Sequence, residues 1–206
     1  MSEIDTSDSR VNRAEYWEQA YLEGRTGWDL GQGAPSFEDL LAGPTPPTPG
    51  ELAVIGFGKG HDALLFARHG FTVTGFDFAP SAVEAAQRAA DEAHLAAQFV
   101  QADIFALPSI YHNRFDYVIE HACFSAIDPA RRTDYVAAVQ TMLRPGGELI
   151  GLFFAHGRPG GPPFGTSADE LRRLVEGKFE IEQLAPAVRS VERRQGWELF
   201  ARFRRT

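Results

Sequence analysis

Three alternating glycines, Gly56, Gly58 and Gly60, follow directly on the apolar run Glu51-Leu-Ala-Val-Ile55, and Asp77 closes a second run that begins at Val73. Glycines let a backbone lie against a ligand where a Cβ would clash, and a helix opening near Gly60 would aim free N–H groups at that ligand. A carboxylate at the tip of the next strand can accept both hydroxyls of a ribose, so the grouping is suited to a nucleoside-bearing ligand. Dinucleotide folds space their glycines G-x-G-x-x-G to seat a pyrophosphate on the helix N-terminus. Here the third glycine comes one residue early. That spacing argues against a nicotinamide-dependent oxidoreductase, the alternative that the glycines alone would leave open. No zinc-ligand spacing is present, and no paired carboxylates or His–acid arrangement announces a dedicated base.

The elements that must position these residues follow from periodicity. Residues 11–23 read as a helix that places Tyr16, Trp17, Tyr21 and Leu22 close together, with Gly24 at its end. A loop carrying Trp28 and a short helix begun by Pro35 come next, followed by a stiff connector, Gly43-Pro-Thr-Pro-Pro-Thr-Pro49-Gly50. Residues 1–50 are therefore expected to form a helical cap that acts as a lid, and 51–206 a catalytic core that stays cooperative without it, all in one domain. The first ten residues are polar and are expected to be disordered. Beyond Asp77, Ser81 and Glu84 have capping-box spacing for a helix running to about residue 93. Strands are expected at 98–103, 115–120 and 148–154, and a helix from Asp128-Pro129 to the turn Arg144-Pro-Gly-Gly147. Ser167 and Glu170 repeat the capping spacing, and two closing strands are expected at 179–184 and 197–204. Alternating strand and helix imply an α/β fold with a mostly parallel sheet and helices on both faces. Ligands of such sheets sit at the strand C-terminal ends, where Asp77, Asp103, Glu120 and His121 fall.

Composition excludes several partners. A formal charge of −8 disfavours nucleic acid or an anionic membrane, both of which need a basic surface. The Arg202–Arg205 cluster reads as a solvated strand edge. One cysteine, Cys123, excludes an intrachain disulfide, and the N-terminus lacks a signal-peptide pattern. No apolar run reaches bilayer length, so the expectation is a cytoplasmic monomer whose partner is a small-molecule acceptor.

The glycine loop resembles motif I of the class I S-adenosylmethionine (SAM) methyltransferases. Trp17-x3-Tyr21-x6-Trp28-Asp-Leu-Gly, Phe124-Ser-Ala-Ile127-x-Pro129-x2-Arg132 and Gly160-Gly-Pro-Pro-Phe164 are similar to segments of the thiopurine methyltransferase family, especially its thiol, thiocyanate and halide methyltransferase branch. The resemblance implies a seven-stranded sheet whose last strand is antiparallel, SAM as cofactor, and a small soft nucleophile, above all a thiol, as acceptor. It also implies cofactor contacts at Trp17, Tyr21, Trp28, Gly56, Asp77, Asp103, Ile104 and His121, with Gly58 and Gly60 completing the loop. Here His121 and Phe164 stand where the family has tyrosine, and Tyr21 where it has an aromatic residue or tryptophan. An aromatic trio can attract a sulfonium cation and exclude water. Within the enzyme class the alternative is N-methylation of a small heteroaromatic metabolite, and outside it a SAM-binding protein without catalysis.

Each residue also has a plainer use. Trp17 and Tyr21 could be core anchors, Asp103 a cap, and Asp62 and His61 partners for backbone donors at a helix start. Cys123 reads as a small buried hydrophobe and Asp116 as structural. His121, His156, Arg158 and Phe164 are the candidates for the acceptor side, with no catalytic role assigned. Methyl transfer is an in-line displacement that needs alignment and a dry pocket more than it needs acid–base groups.

Overall fold

From Glu51 onward the inner strands alternate their side chains between two helix layers, so consecutive residues of one strand feed two different cores. Leu52 and Val54 join one apolar cluster, while Ala53 and Ile55 join the other. The computed structural model describes residues 8–206. Its strands are β1 (Glu51–Ile55), β2 (Thr72–Asp77), β3 (Ala97–Gln101), β4 (Phe115–His121), β5 (Leu143–Phe154), β6 (Phe179–Pro186) and β7 (Glu198–Arg205). They form one sheet in the order β3-β2-β1-β4-β5-β7-β6. Only β7 opposes its neighbours, pairing antiparallel with both β5 and β6. This is the seven-stranded class I, Rossmann-like arrangement, and the order reverses between β1 and β4, where a ligand crevice opens.

Helices α1 (Ala14–Leu22) and α2 (Pro35–Ala42) precede the sheet, and α3 (His61–Arg68), α4 (Pro80–Glu92), α5 (Arg132–Met142) and α6 (Ala168–Val175) cross over it. Tyr135, Val139, Leu171 and Val175 pack α5 and α6 on one face. Phe37, Leu64, Phe66, Ala82 and Ala86 pack α2, α3 and α4 on the other.

Several local expectations change. Helix α4 starts at Pro80 with Ala79 as its cap, because the Ser81 N–H and hydroxyl both donate to the Glu18 carboxylate of α1, at 3.0 and 2.6 Å. Ser167 does accept from the Glu170 N–H at 3.2 Å, but the Glu170 carboxylate serves Arg132 and Thr166 instead of completing a box. The fifth strand begins at Leu143, five residues early, by pairing with Phe115 across a register shift in β4. The arginine cluster is not a solvated edge, since β7 lies inside the sheet: Arg202 donates to Glu148 at 2.6 Å, and Arg204 bridges Glu148 and Glu182. Asp116 is structural as read, accepting from the Glu51 N–H at 2.8 Å and pairing with Arg144. Of the tail expected to be disordered, residues 1–7 lie outside the described residues, while Asp8 caps a short 3-10 turn, Ser9–Asn12. Among the described residues no helix is long and apolar enough to cross a membrane.

The cap is less separable than its position before the connector suggests. Phe37 is fully buried, with its ring 5.7 Å from Phe66, and Leu41 and Ala34 join the same cluster as β1. Removing residues 1–49 would therefore uncover one face of the core. Phe37→Ala should lower unfolding free energy by about 3–5 kcal/mol, the cost of emptying a large aromatic site. Urea denaturation that finds less than about 1 kcal/mol would show α2 to be a detachable lid.

Candidate active site

The glycine loop turns sharply because its glycines take the left-handed conformation. At Gly56, φ is +59°, and a Cβ there would stand 2.7 Å from the Cys123 Cβ. Gly60, at φ +82°, allows α3 to approach α4, since a Cβ would meet that of Ala86 at 2.8 Å. The Gly58 N–H is directed at Asp77, donating to Oδ2 at 2.9 Å, while the Ala79 N–H donates to Oδ1 at 3.0 Å. Burial outweighs these two bonds and pushes the Asp77 carboxyl up to about 6.

Beside this loop lies a cavity of about 520 Å³, within the range of small-molecule sites. Gly56, Asp77, Phe78, Ile104 and Phe105 form its floor. Trp17, Tyr21 and Trp28 form its roof, with the Trp28 ring edge-on to the other two at 5.5 and 5.6 Å. The Trp17 indole N–H is held by the Val11 carbonyl at 2.9 Å, so this ring is fixed in direction. Leu152, Phe154, Pro162 and Pro163 make a far wall together with Arg193, Arg194 and Glu198. Cys123 also borders the space, and burial raises its thiol well above the ordinary value, as suits a small hydrophobe.

Of the ten residues expected to contact a cofactor, Trp17, Tyr21, Trp28, Gly56, Asp77 and Ile104 line this cavity. Gly58, Gly60, Asp103 and His121 do not. Asp103 caps the 3-10 turn after β3 by accepting from the Phe105 N–H at 2.9 Å. His121 belongs to a polar network: Nδ1 meets Asp62 at 2.7 Å, and Nε2 accepts from Arg194 at 2.9 Å. Because a guanidinium only donates, that geometry leaves the proton on Nδ1. Asp62 additionally accepts from the Ala34 N–H at 2.7 Å, tying α3 to the cap. His61 instead faces Asp29, at 3.1 Å.

None of the four acceptor-side candidates lines the cavity. His121 is committed to Asp62 and Arg194. Phe164 is buried, with its N–H donating to the Ser125 carbonyl and its own carbonyl receiving Arg132, so its ring turns inward. The exposed Arg158 lies over the Trp197 ring at 3.9 Å. His156 packs on Phe154 and Trp197, and burial holds its imidazole below the ordinary value. Arg193, Arg194 and Glu198 were missed although a signal existed. An antiparallel strand enters the sheet at the edge where the parallel strands end, so the first residues of β7 reach the ligand crevice.

The loop before β7 also fastens the roof. Arg193 donates to the Gly27 and Asp29 carbonyls at 3.0 and 2.7 Å, and Arg194 to the Trp28 carbonyl at 2.7 Å. Arg189 pairs with Glu38 and Asp39 on α2, and its carbonyl accepts from Ser36.

A seven-stranded sheet of this order, with a glycine cradle and a ribose-ready carboxylate after β2, defines a class I methyltransferase. The model of the family described as Thiopurine S-methyltransferase (TPMT) matches residues 12–202, and the chain belongs to that family. It is 30% identical to a "Probable thiol methyltransferase 2" of Arabidopsis thaliana over 95% of this chain and 87% of the relative. It is 29% identical to "Thiocyanate methyltransferase 1" of Brassica oleracea, covering 92% and 84%. Among solved structures, the Burkholderia thailandensis 1,6-didemethyltoxoflavin-N1-methyltransferase with S-adenosylhomocysteine bound superposes with a TM-score of 0.76 at 22% identity, covering 96% of this chain and 88% of that one. The protein is a SAM-dependent methyltransferase. The floor fits that cofactor: Gly56 leaves backbone bare at the cavity and Asp77 presents a carboxylate to it.

Proposed function

We propose that this enzyme methylates the sulfur of a small thiol, with halide or thiocyanate as secondary acceptors. The observation that carries the reading is the far wall of the cavity, where Leu152, Phe154, Pro162 and Pro163 offer apolar surface to a soft, weakly hydrated nucleophile. Its kinship with a relative named as a probable thiol methyltransferase supports the same acceptor. Bound SAM supplies an electrophilic methyl group on a sulfonium centre. In this reading Asp77 would accept from the ribose hydroxyls, and Ile104 and Phe105 would line the adenine end, while Asp103 holds the turn that carries them. Trp17, Tyr21 and Trp28 close over the site and keep water out, and their ring faces favour positive charge beneath them. Residues 1–50 thus serve as roof and 51–206 as the core that carries the floor.

The test is incubation with methyl-labelled SAM and a panel of an alkyl thiol, an aryl thiol, iodide, thiocyanate and a nitrogen heterocycle. S-methylated product from the thiols is expected at the highest kcat/KM. A heterocycle methylated while every thiol is ignored would replace this assignment with N-methylation.

A further inference from the structure

We propose that Glu198 is the general base of the reaction, which makes protonated thiols, and not preformed anions, the preferred acceptors. The inference rests on the S-methylation reading above and adds a residue that takes the acceptor's proton.

Glu198 is the first residue of β7 and pairs in register with Phe154 at the end of β5. Its backbone is pinned on both sides of the sheet edge. The Trp197 carbonyl accepts from Ala155 at 2.7 Å and the Glu198 carbonyl from Ala187 at 2.9 Å. The side chain lines the cavity although only 4% of it is exposed. Carboxylates this buried are uncommon unless paired, and this one is paired on one oxygen. Oε1 accepts from Arg194 at 3.2 Å, and His121 stands 3.8 Å from the same atom. Among the described residues Oε2 takes no hydrogen bond.

Position separates this acid from the cofactor's. Asp77 ends β2 and Glu198 begins β7, four strand steps apart in the sheet order. At about 4.8 Å per step the separation along the sheet is roughly 19 Å. Glu198 therefore belongs with the apolar wall of Leu152, Phe154, Pro162 and Pro163, at the acceptor end. Arg193 and Arg194 share this wall, but their guanidinium groups already donate to the Gly27, Asp29 and Trp28 carbonyls and to Glu198 Oε1. A bare anion would therefore meet the unpaired Oε2, whereas a thiol offers it an S–H. Arg194 fixes the carboxylate's direction and also holds the Trp28 carbonyl, so the base and the roof are set by one side chain. In the step itself the thiol S–H bond breaks and its proton goes to Oε2. The electron pair left on sulfur forms the new S–CH3 bond, and the departing sulfonium sulfur keeps the pair of the bond that breaks. Oε2 then returns its proton to solvent.

Glu198→Gln keeps the size and removes the basicity. Its kcat on an alkyl thiol should fall about 10²-fold, the low end for general-base catalysis. The loss should be smaller on an aryl thiol already ionised at the assay pH, and iodide methylation should be unchanged or faster. Calorimetric titration of the S-adenosylhomocysteine complex with thiocyanate gives a readout independent of turnover. Tighter thiocyanate binding by the variant is expected. Glu198→Asp keeps a carboxylate and should recover part of the thiol rate, which restored packing alone would not do. Equal losses on alkyl thiol and iodide would mean that Glu198 only holds Arg194 and the roof, and would overturn the proposal. So would an alkyl thiol rate that ignores the substitution. A parent enzyme that methylates iodide but no thiol would sink the S-methylation reading itself, and the base with it.

Discussion

Asp77→Ala should bind SAM about 10- to 150-fold more weakly than the parent enzyme, the range for losing a hydrogen bond to a charged acceptor of about 1.5–3 kcal/mol. The residue does two things at once. Its carboxylate oxygens fix the Gly58 and Ala79 N–H groups at 2.9 and 3.0 Å, and they border the cavity where a ribose would lie. Its carboxyl sits at about 6 in the free protein because burial disfavours the charge. Cofactor binding to the charged form must therefore weaken as pH falls through about 6, when the carboxyl takes up a proton. Isothermal titration at pH 7.5 and 5.5 checks both statements. Unchanged affinity in the variant, or no weakening at the lower pH, would remove Asp77 from the cofactor site.

The second large effect concerns stability. Glu120 is fully buried at the end of β4, where the Tyr135 hydroxyl and the Phe124 N–H both donate to it, the latter at 2.8 Å. Burial still prevails and holds its carboxyl at about 7 instead of 4.5. In that interval the folded chain keeps a proton that the unfolded chain has released, so stability falls as pH rises from about 4.5 to 7. The loss amounts to about 3 kcal/mol, and the raised Asp77 adds a change of the same sign between 3.8 and about 6. Urea midpoints should accordingly be higher at pH 5 than at pH 8, and Glu120→Gln should flatten most of that slope. A parent protein that is more stable at pH 8 would refute the assignment.

Legibility followed sequence distance. The glycine loop, Asp77 and the strand–helix alternation were readable because each depends on residues within a few positions of one another. Trp17, Tyr21 and Trp28 were readable as a group through family resemblance, and the cavity roof brings them together. Partners far apart in sequence gave no such signal. Asp62 reaches His121 across 59 residues and Arg194 reaches it across 73, which is how a His–acid pair absent from any local motif came to exist. The same limit explains Phe164, whose direction is set by Ser125 and Arg132 on other elements. Capping boxes failed for a different reason. At Ser81 the helix N-terminus found a better acceptor in Glu18, 63 residues earlier, so tertiary contact displaced the local pattern.

The arginines that fasten the roof join residues 150 to 166 positions apart, among the longest spans available in this chain. Closing so long a loop costs entropy that only a folded sheet can offset, because the sheet shortens the effective distance between the two ends. The carbonyls of Gly27, Trp28 and Asp29 are thus held by residues near the far end of the chain, with most of the sheet lying between the partners in sequence. The roof over the cavity is therefore only as ordered as the turn before β7 that carries Arg193 and Arg194, and loosening that turn would release it.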